Sequence, residues 1–320
     1  MIVFWIGFLA FVAVVLALDL CVLNRKDHEI GVKEALKWTG VWIALAVLFG
    51  VFVFFAYENH WLGIGVHAGA SLSGTDAFME YLTGYVLEKS LSLDNIFVMA
   101  AIFSYFGIPR LYQHRVLFWG ILGALVLRGV FILGGTALIS HFHFLMYFFG
   151  AFLVFTALKM QFSKNDGKMD PSKNFALRLV RKFFPVTDER HGHDFFLKKD
   201  GKHFATPLFL SLIVIEASDV LFAVDSIPAV FGVTLDPFLV FTSNIMAILG
   251  LRSLYFALAA MLGMFRFLKN ALVVVLAFVG VKMLVSSWVE LPSWTSLVVV
   301  FAMIGAGIAA SVLIPEKKNS

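Results

Sequence analysis

Residues 206–231 read TPLFLSLIVIEASDVLFAVDSIPAVF, an apolar run interrupted by three acids, Glu216, Asp219 and Asp225. Its length suits a bilayer crossing, which takes roughly 20 apolar residues as a helix. Apolar residues are continuous here rather than alternating. That pattern fits a helix, because lipid offers backbone groups no outside partner. Comparable runs fall near 2–23, 39–57, 77–106, 114–139, 144–160, 238–262, 270–289 and 293–314. The 320-residue chain is 60% hydrophobic, with 36 Phe and 14% charged residues. An ordinary soluble domain carries about 25% charged residues, so the solvent for most of this chain is lipid. The expected fold is an all-α polytopic membrane protein with about nine transmembrane helices. The first run lacks a basic leader and a small-residue cleavage site, so it is expected to stay as a helix rather than leave as a signal peptide.

Basic residues set the expected orientation. The connections 24–38, 107–115, 161–205 and 263–269 and the C-terminal tail hold 20 of the 25 Lys and Arg. The alternate connections, 58–76, 140–143, 232–237 and 290–292, hold none. By the positive-inside rule the N-terminus lies outside and the C-terminus in the cytoplasm. Segment 161–205, rich in Lys, Asp and Gly, is expected to be a solvated, mobile cytoplasmic linker. Cys21 is the single cysteine, which excludes internal disulfides and multi-Cys metal sites.

The remaining basic residues, Lys89, Arg128, Lys159, Arg252 and Lys282, disclose an internal repeat. Asp94, Arg128 and Lys159 recur as Asp219, Arg252 and Lys282 at nearly the same spacing. Nearby text agrees: LRGVF (127–131) resembles LRSLY (251–255), and GAFLVFTALKM (150–160) resembles VLAFVGVKML (275–284). Three helices per copy give the copies opposite orientations, an inverted repeat of the kind found in secondary transporters. The expected organisation is two N-terminal helices in 1–76, a first three-helix repeat in 77–160, the loop 161–205, a second repeat in 206–289, and a last helix and tail in 290–320.

Six acids fall inside expected spans: Asp19, Glu88, Asp94, Glu216, Asp219 and Asp225. Each charge at the bilayer centre costs on the order of 2.5–3.5 kcal/mol, and such residues mark ion pathways by default. Lys89, Arg128 and Arg252 can offset part of this by charge pairing. The arginines read equally as interhelical ties or as functional groups, and Lys159 and Lys282 as snorkelling residues. Asp19 reads evenly as a site residue or a structural partner. At helical spacing Glu88, Ser92 and Asn95 share one face of 77–106, and Glu216 and Asp219 are i,i+3 neighbours. Pro228 is expected to break its helix locally and re-aim Asp225. Ser218, Ser226 and Asn244, with Asn95, would add neutral oxygens. An oxygen-rich set suits Mg²⁺, Ca²⁺ or Mn²⁺, whereas Zn²⁺ and copper usually recruit Cys or His. His141 and His143 read as an interfacial pair, and His191 and His193 as solvated loop residues. No P-loop, H-E-x-x-H or G-x-S-x-G pattern occurs, so neither ATP-driven work nor these hydrolase chemistries is expected.

The segments GYVLEKSLSLDNIFV (84–98), IEASDVLFAVDSIPAVF (215–231), FTSNIMAILGLRSLYF (241–256) and FVGVKML (278–284) resemble the TerC family of membrane proteins, particularly its Alx-like members. The resemblance covers nearly the whole chain and matches Glu88, Asp94, Glu216, Asp219 and Asp225 to the family's intramembrane acids. It implies manganese homeostasis and export, with a link to tellurium resistance by the family's name. The expectation is therefore a non-enzymatic secondary transporter of the bacterial inner membrane. It would export Mn²⁺ through a midplane carboxylate site in exchange for protons. Its partners would be the lipid bilayer and the ion, with no organic cofactor and no nucleic acid. The alternatives are an accessory protein that delivers metal to secreted or membrane proteins, and a tellurium-resistance component.

Overall fold

The computed structural model describes residues 2–18, 31–67, 70–142, 144–162, 177, 182, 185–187, 194–199, 202–259, 267–289 and 291–314. Ten helices make up most of it: α1 Ile2–Leu18, α2 Val32–Glu58, α3 Gly74–Tyr105, α4 Arg110–His141, α5 Phe144–Phe162, α6 Pro207–Phe231, α7 Pro237–Leu249, α8 Leu251–Leu258, α9 Leu268–Val285 and α10 Ser293–Leu313. Six of them, α2, α4, α5, α6, α9 and α10, are long and apolar enough to cross a membrane, and the pair α7–α8 makes up to seven. Helix α3 is also of spanning length at 32 residues but carries Glu80, Glu88, Lys89 and Asp94. The arrangement is that of a polytopic membrane protein. Leu48, Val126, Phe155 and Val312 point outward and are exposed, while Glu88, Arg128, Asp219 and Asn244 are buried.

Helix ends follow local chemistry. Ser73 caps α3, its hydroxyl accepting from the Asp76 amide at 3.1 Å. Asp236 caps α7 by accepting from the Phe238 and Leu239 amides at 2.9 and 3.2 Å, with Pro237 in the first turn. Both are preferred starts, since these oxygens satisfy orphan N–H groups. Helix α3 stops at Gly107, whose φ is +60°. The Gly107 amide donates to Ser104 O and the Ile108 amide to Phe103 O, at 3.1 and 2.9 Å, the paired bonds of a Schellman ending.

Three expectations need correction. The run 238–262 is not one straight span: α7 and α8 bend by 43° at Gly250. Conversely, α6 runs through Pro228 without a break. Pro228 lacks the N–H that would bond Val224 O, yet the residues before and after it stay helical. Helix α2 begins at Val32 rather than 39, because its first turns carry Lys33, Glu34 and Lys37.

Helices α3, α4 and α5 pack crosswise on α6, α7 and α9: α3 meets α6 and α7, α4 meets α6 and α7, and α5 meets α9. At the α5–α9 crossing Gly150 and Gly280 face each other, and a Cβ on either would strike the other's carbonyl oxygen. Small residues permit such close approach between membrane helices. Ser293 at the start of α10 donates to Glu80 of α3 at 3.1 Å. Tyr147 at the start of α5 bonds Ser287 just past α9. The connections that lack basic residues thus gather at one end of the bundle.

Part of the 161–205 segment departs from the expected mobile linker. β3 (Phe196–Lys199) and β4 (Lys202–Ala205) form an antiparallel hairpin, Lys199 opposite Lys202. A second, shorter hairpin joins β1 (Val66–His67) to β2 (Ala70–Ser71). The β3–β4 hairpin is fastened to the bundle. Phe196 packs on Phe209 of α6 at 4.4 Å between ring centres, and Thr206 donates to Asp194 O at 2.7 Å. Asp19, His143, His191 and His193 lie outside the described residues.

Candidate intramembrane ion site

The buried polar groups of α3, α4, α6 and α7 converge on Arg128. Its side chain is 1% exposed. Nη2 and Nε donate to the two Asp219 carboxylate oxygens at 2.8 and 3.2 Å, a bidentate geometry. Nη1 forms an ion pair with Glu88 Oε1 and reaches Ser226 Oγ and Asn244 Oδ1, each at 3.3 Å. The second Glu88 oxygen accepts from Asn244 Nδ2 at 3.0 Å, and Ser92 Oγ lies 3.4 Å from the first. Glu88 and Asp219, expected as metal ligands, are thus brought together by an arginine. The partners come from different helices: Arg128 of α4 holds Asp219 of α6.

Asp219 is also a border. Asn95 Nδ2 donates to its Oδ1 at 3.4 Å, which fixes the amide so that Asn95 Oδ1 faces away; that oxygen is buried and has no hydrogen-bond partner. One turn before Asp219, the Glu216 carboxylate lies against Gly120 and Gly123 of α4, and a Cβ at Gly123 would occupy its place. Glu216 Oε2 is likewise buried without a partner. The space beside them is slight, about 10 Å³ in one gap and too little for a water in the other. Glu216, Asp219 and Arg252 line one, and Asn95, Ser218 and Asp219 line the other. Two unanswered oxygen acceptors therefore flank one carboxylate at membrane depth. Such orphans are uncommon in folded proteins and call for a cation or a donor.

The other expected residues go elsewhere. Asp94 is half-buried, within electrostatic range of Lys269 on α9. Asp225 accepts from Thr156 Oγ1 of α5 at 3.3 Å and lies near Lys159. It points away from Glu216, as an unbroken α6 dictates. Lys89 donates to Ala247 O at 3.1 Å, at the C-terminal end of α7, where the helix dipole favours a cation. Lys282 donates to Ser296 Oγ at 2.9 Å. Ser218 Oγ turns back to Val214 O at 2.8 Å. Among the described residues no three of His, Cys, Asp and Glu are grouped as a ready metal cage. Sequence reasoning missed the bend at Gly250 beside the Lys89 ammonium, and the glycine cleft that receives Glu216. Gly120 and Gly123, spaced i,i+3 on α4, were its signal.

Comparison with known proteins agrees with this architecture. Residues 73–319 match the model of the integral membrane protein TerC family. An uncharacterised membrane protein of Myxococcus xanthus is 47% identical over 309 residues, covering 97% of this chain and 92% of that protein. Alx of Escherichia coli, named for a proposed role as a membrane-bound redox modulator, is 44% identical over 301 residues, 94% of this chain and 91% of its own. A membrane protein of Rickettsia bellii is 38% identical over 309 residues, 97% of each chain. No solved structure matches the chain. With a family model covering most of its length and Alx relatives covering nearly all of it, this multi-pass integral membrane protein belongs to the TerC family.

Proposed function

We propose that the chain is a secondary transporter, not an enzyme, that exports a hard divalent cation across the bacterial inner membrane, with Mn²⁺ as the ion the family resemblance implies. The observation that carries this reading is the pair of unpartnered buried oxygens, Glu216 Oε2 and Asn95 Oδ1, on either side of Asp219. Protonation could answer Glu216 but not an amide oxygen. A hard dication answers both, because it takes carboxylate, carbonyl and water oxygens. With few protein ligands at hand, the ion would keep part of its water shell.

Arg128 has a second role in this reading. Its guanidinium stands between Glu88 and Asp219, where a bridging dication would otherwise draw them together. The arginine would act as a tethered counter-cation that yields Asp219 to the ion and reclaims it on release. The crosswise packing of α3–α5 on α6–α9 supports two inverted three-helix repeats, within an expected nine spans. Each repeat offers its first two helices to the same elements of the other. The broken α7–α8 supports it too, since discontinuous helices line transporter sites at the midplane. Asp94 and Asp225, off the centre, would serve as way stations for the ion or for protons.

Export works against an inside-negative potential: moving two charges out costs about 4.6 kcal/mol at 100 mV. Proton entry would supply the difference, with the same acids carrying protons back. The orientation, N-terminus out and 161–205 cytoplasmic, rests on the distribution of basic residues. A cysteine introduced at Arg190 should resist an impermeant thiol reagent added outside, and labelling from outside would reverse the topology. Purified protein in sealed liposomes, compared for Mn²⁺, Mg²⁺, Ca²⁺ and Zn²⁺, tests the function. Saturable Mn²⁺ flux is expected. Metal binding without flux would favour an accessory that delivers metal to other proteins.

A further inference from the structure

A cavity of about 660 Å³ lies among the β1–β2 hairpin, α3, α4 and the connection from α6 to α7. This is the end of the bundle that the positive-inside rule places outside. The four connections expected there carry Glu58, Asp76, Asp236 and Glu290 and no Lys or Arg, so its field favours cations. Two carboxylates line the cavity, Glu80 and Asp236. Glu80 Oε1 accepts from Ser293 Oγ at 3.1 Å. Asp236 takes both of its capping bonds on Oδ1, at 2.9 and 3.2 Å, which leaves Oδ2 for a further partner. Thr234 links the two: its hydroxyl accepts from the Asp236 amide at 3.2 Å and lies within reach of Glu80. Lys282 is within electrostatic range of Glu80 and donates to Ser296 Oγ at 2.9 Å. One cation against two acids leaves the balance negative. A separate observation comes from α2. Tyr57 is fully buried, and its hydroxyl faces Asp236 and Glu80 without a formed hydrogen bond.

We propose that this vestibule is a second site for a hard divalent cation, held with part of its water shell between Glu80 and Asp236. Its role as the last stop before release rests on the export reading, whereas the binding itself does not. The donor set is carboxylate and hydroxyl oxygen, which suits such ions. None of the lining residues is His or Cys, the usual ligands of softer metals. None is aromatic either, so the cavity lacks the ring faces that receive an organic ammonium. The volume far exceeds the roughly 30 Å³ that one water occupies in the liquid, so bound water fits beside the ion. A buried phenol usually finds a partner, and a water on the ion would donate to the Tyr57 oxygen. A lone proton would neutralise one acid and leave that oxygen as it is. Two carboxylates and a retained water shell make a weak site, which lets an ion go.

The test is equilibrium dialysis of Mn²⁺ against the purified full chain in nanodiscs of uncharged lipid. The wild type should bind two ions and Glu216→Gln one, the remaining ion with Kd on the order of 10⁻⁴–10⁻³ M. Adding Glu80→Gln or Asp236→Asn to Glu216→Gln should weaken that ion about tenfold or more, since affinity follows the ligand charge. Gln keeps an oxygen for Ser293, and Asn caps a helix as well as Asp does, so the unfolding midpoint without metal should not move. The two variants stand on different elements, so either one decides the matter where the other does not fold. Tyr57→Phe should weaken binding about fivefold, the value of one ordinary hydrogen bond. Ca²⁺ should displace Mn²⁺, and K⁺ at the same concentration should not. Unchanged binding in both acid variants, no saturable binding in Glu216→Gln, or equal displacement by K⁺ would overturn the proposal. A stoichiometry that Glu216→Gln leaves unchanged would count against the midplane site instead, so the two readings fail separately.

Discussion

Asp219 and Glu216 stand one turn apart on α6, and the fold treats them differently. Asp219 gives both oxygens to Arg128, which in turn holds Glu88, Ser226 and Asn244. Glu216 sits in a cleft made by Gly120 and Gly123 with one oxygen unanswered. Asp219 is buried and Glu216 half-buried, but depth is not the main difference. The difference is what each has been given. Asp219 and Glu88 have a cation supplied by the chain, and their removal would strand that cation. Glu216 has space shaped for it and, among the described residues, no ion pair. The first arrangement ties four helices together; the second is available to something that arrives from outside.

The largest expected effect comes from cutting the tie. Arg128→Met leaves Glu88 and Asp219 buried and unpaired, and breaking a buried pair costs about 3–5 kcal/mol. The variant should be lost from the membrane fraction. Adding Glu88→Gln and Asp219→Asn removes every stranded charge and should restore expression, because neutral replacement of a whole buried ion cluster is often tolerated. Wild-type abundance of Arg128→Met alone would erase the distinction drawn here.

A middling effect is expected at the cleft. Gly123→Ala places a methyl where the Glu216 carboxylate lies, and such overpacking typically costs about 1–3 kcal/mol. With Glu216→Ala present the clash disappears, so the same change should be neutral or stabilising, helped by the better helix propensity of alanine. Thermal unfolding in detergent measures both arms, and additive effects would show that Gly123 and Glu216 do not meet. The smallest effect belongs to Asp225→Asn. Its bond to Thr156 is long at 3.3 Å, and an amide can keep it, so stability should change by at most about 1 kcal/mol. Mn²⁺ transport should nevertheless fall, because the pathway loses an anionic station. A large drop in the unfolding midpoint would class Asp225 with the structural tie.

Much of this was legible in the chain. Ionisable residues inside apolar runs stand out because lipid makes them expensive, so Glu88, Arg128, Glu216 and Asp219 were visible without coordinates. Caps at Ser73 and Asp236 and the ending at Gly107 are local chemistry and mark helix ends where they occur. Partner choice was not legible. The repeat spacing names acids and bases without pairing them, and it is the bundle that delivers Asp219 to Arg128. The bend at Gly250 lies where Lys89 packs, and the Lys89 bond to Ala247 O beside it spans 158 residues. The β3–β4 hairpin carried its own signal, Asp200-Gly201 between FLKK and KHFA, a two-residue turn pattern hidden by the charged composition around it.

The most direct test of the ion-site account is Mn²⁺ flux into sealed liposomes by the wild-type chain and by Glu216→Gln, each with its unfolding midpoint measured. Gln keeps the size and one carbonyl oxygen and removes the charge, and Arg128 keeps its partners. The account predicts saturable flux by the wild type and a fall of about tenfold or more in the variant, equivalent to about 1.4 kcal/mol of ion affinity or greater, with an unchanged midpoint. Equal flux by the two proteins, or a variant that fails to fold, would contradict it.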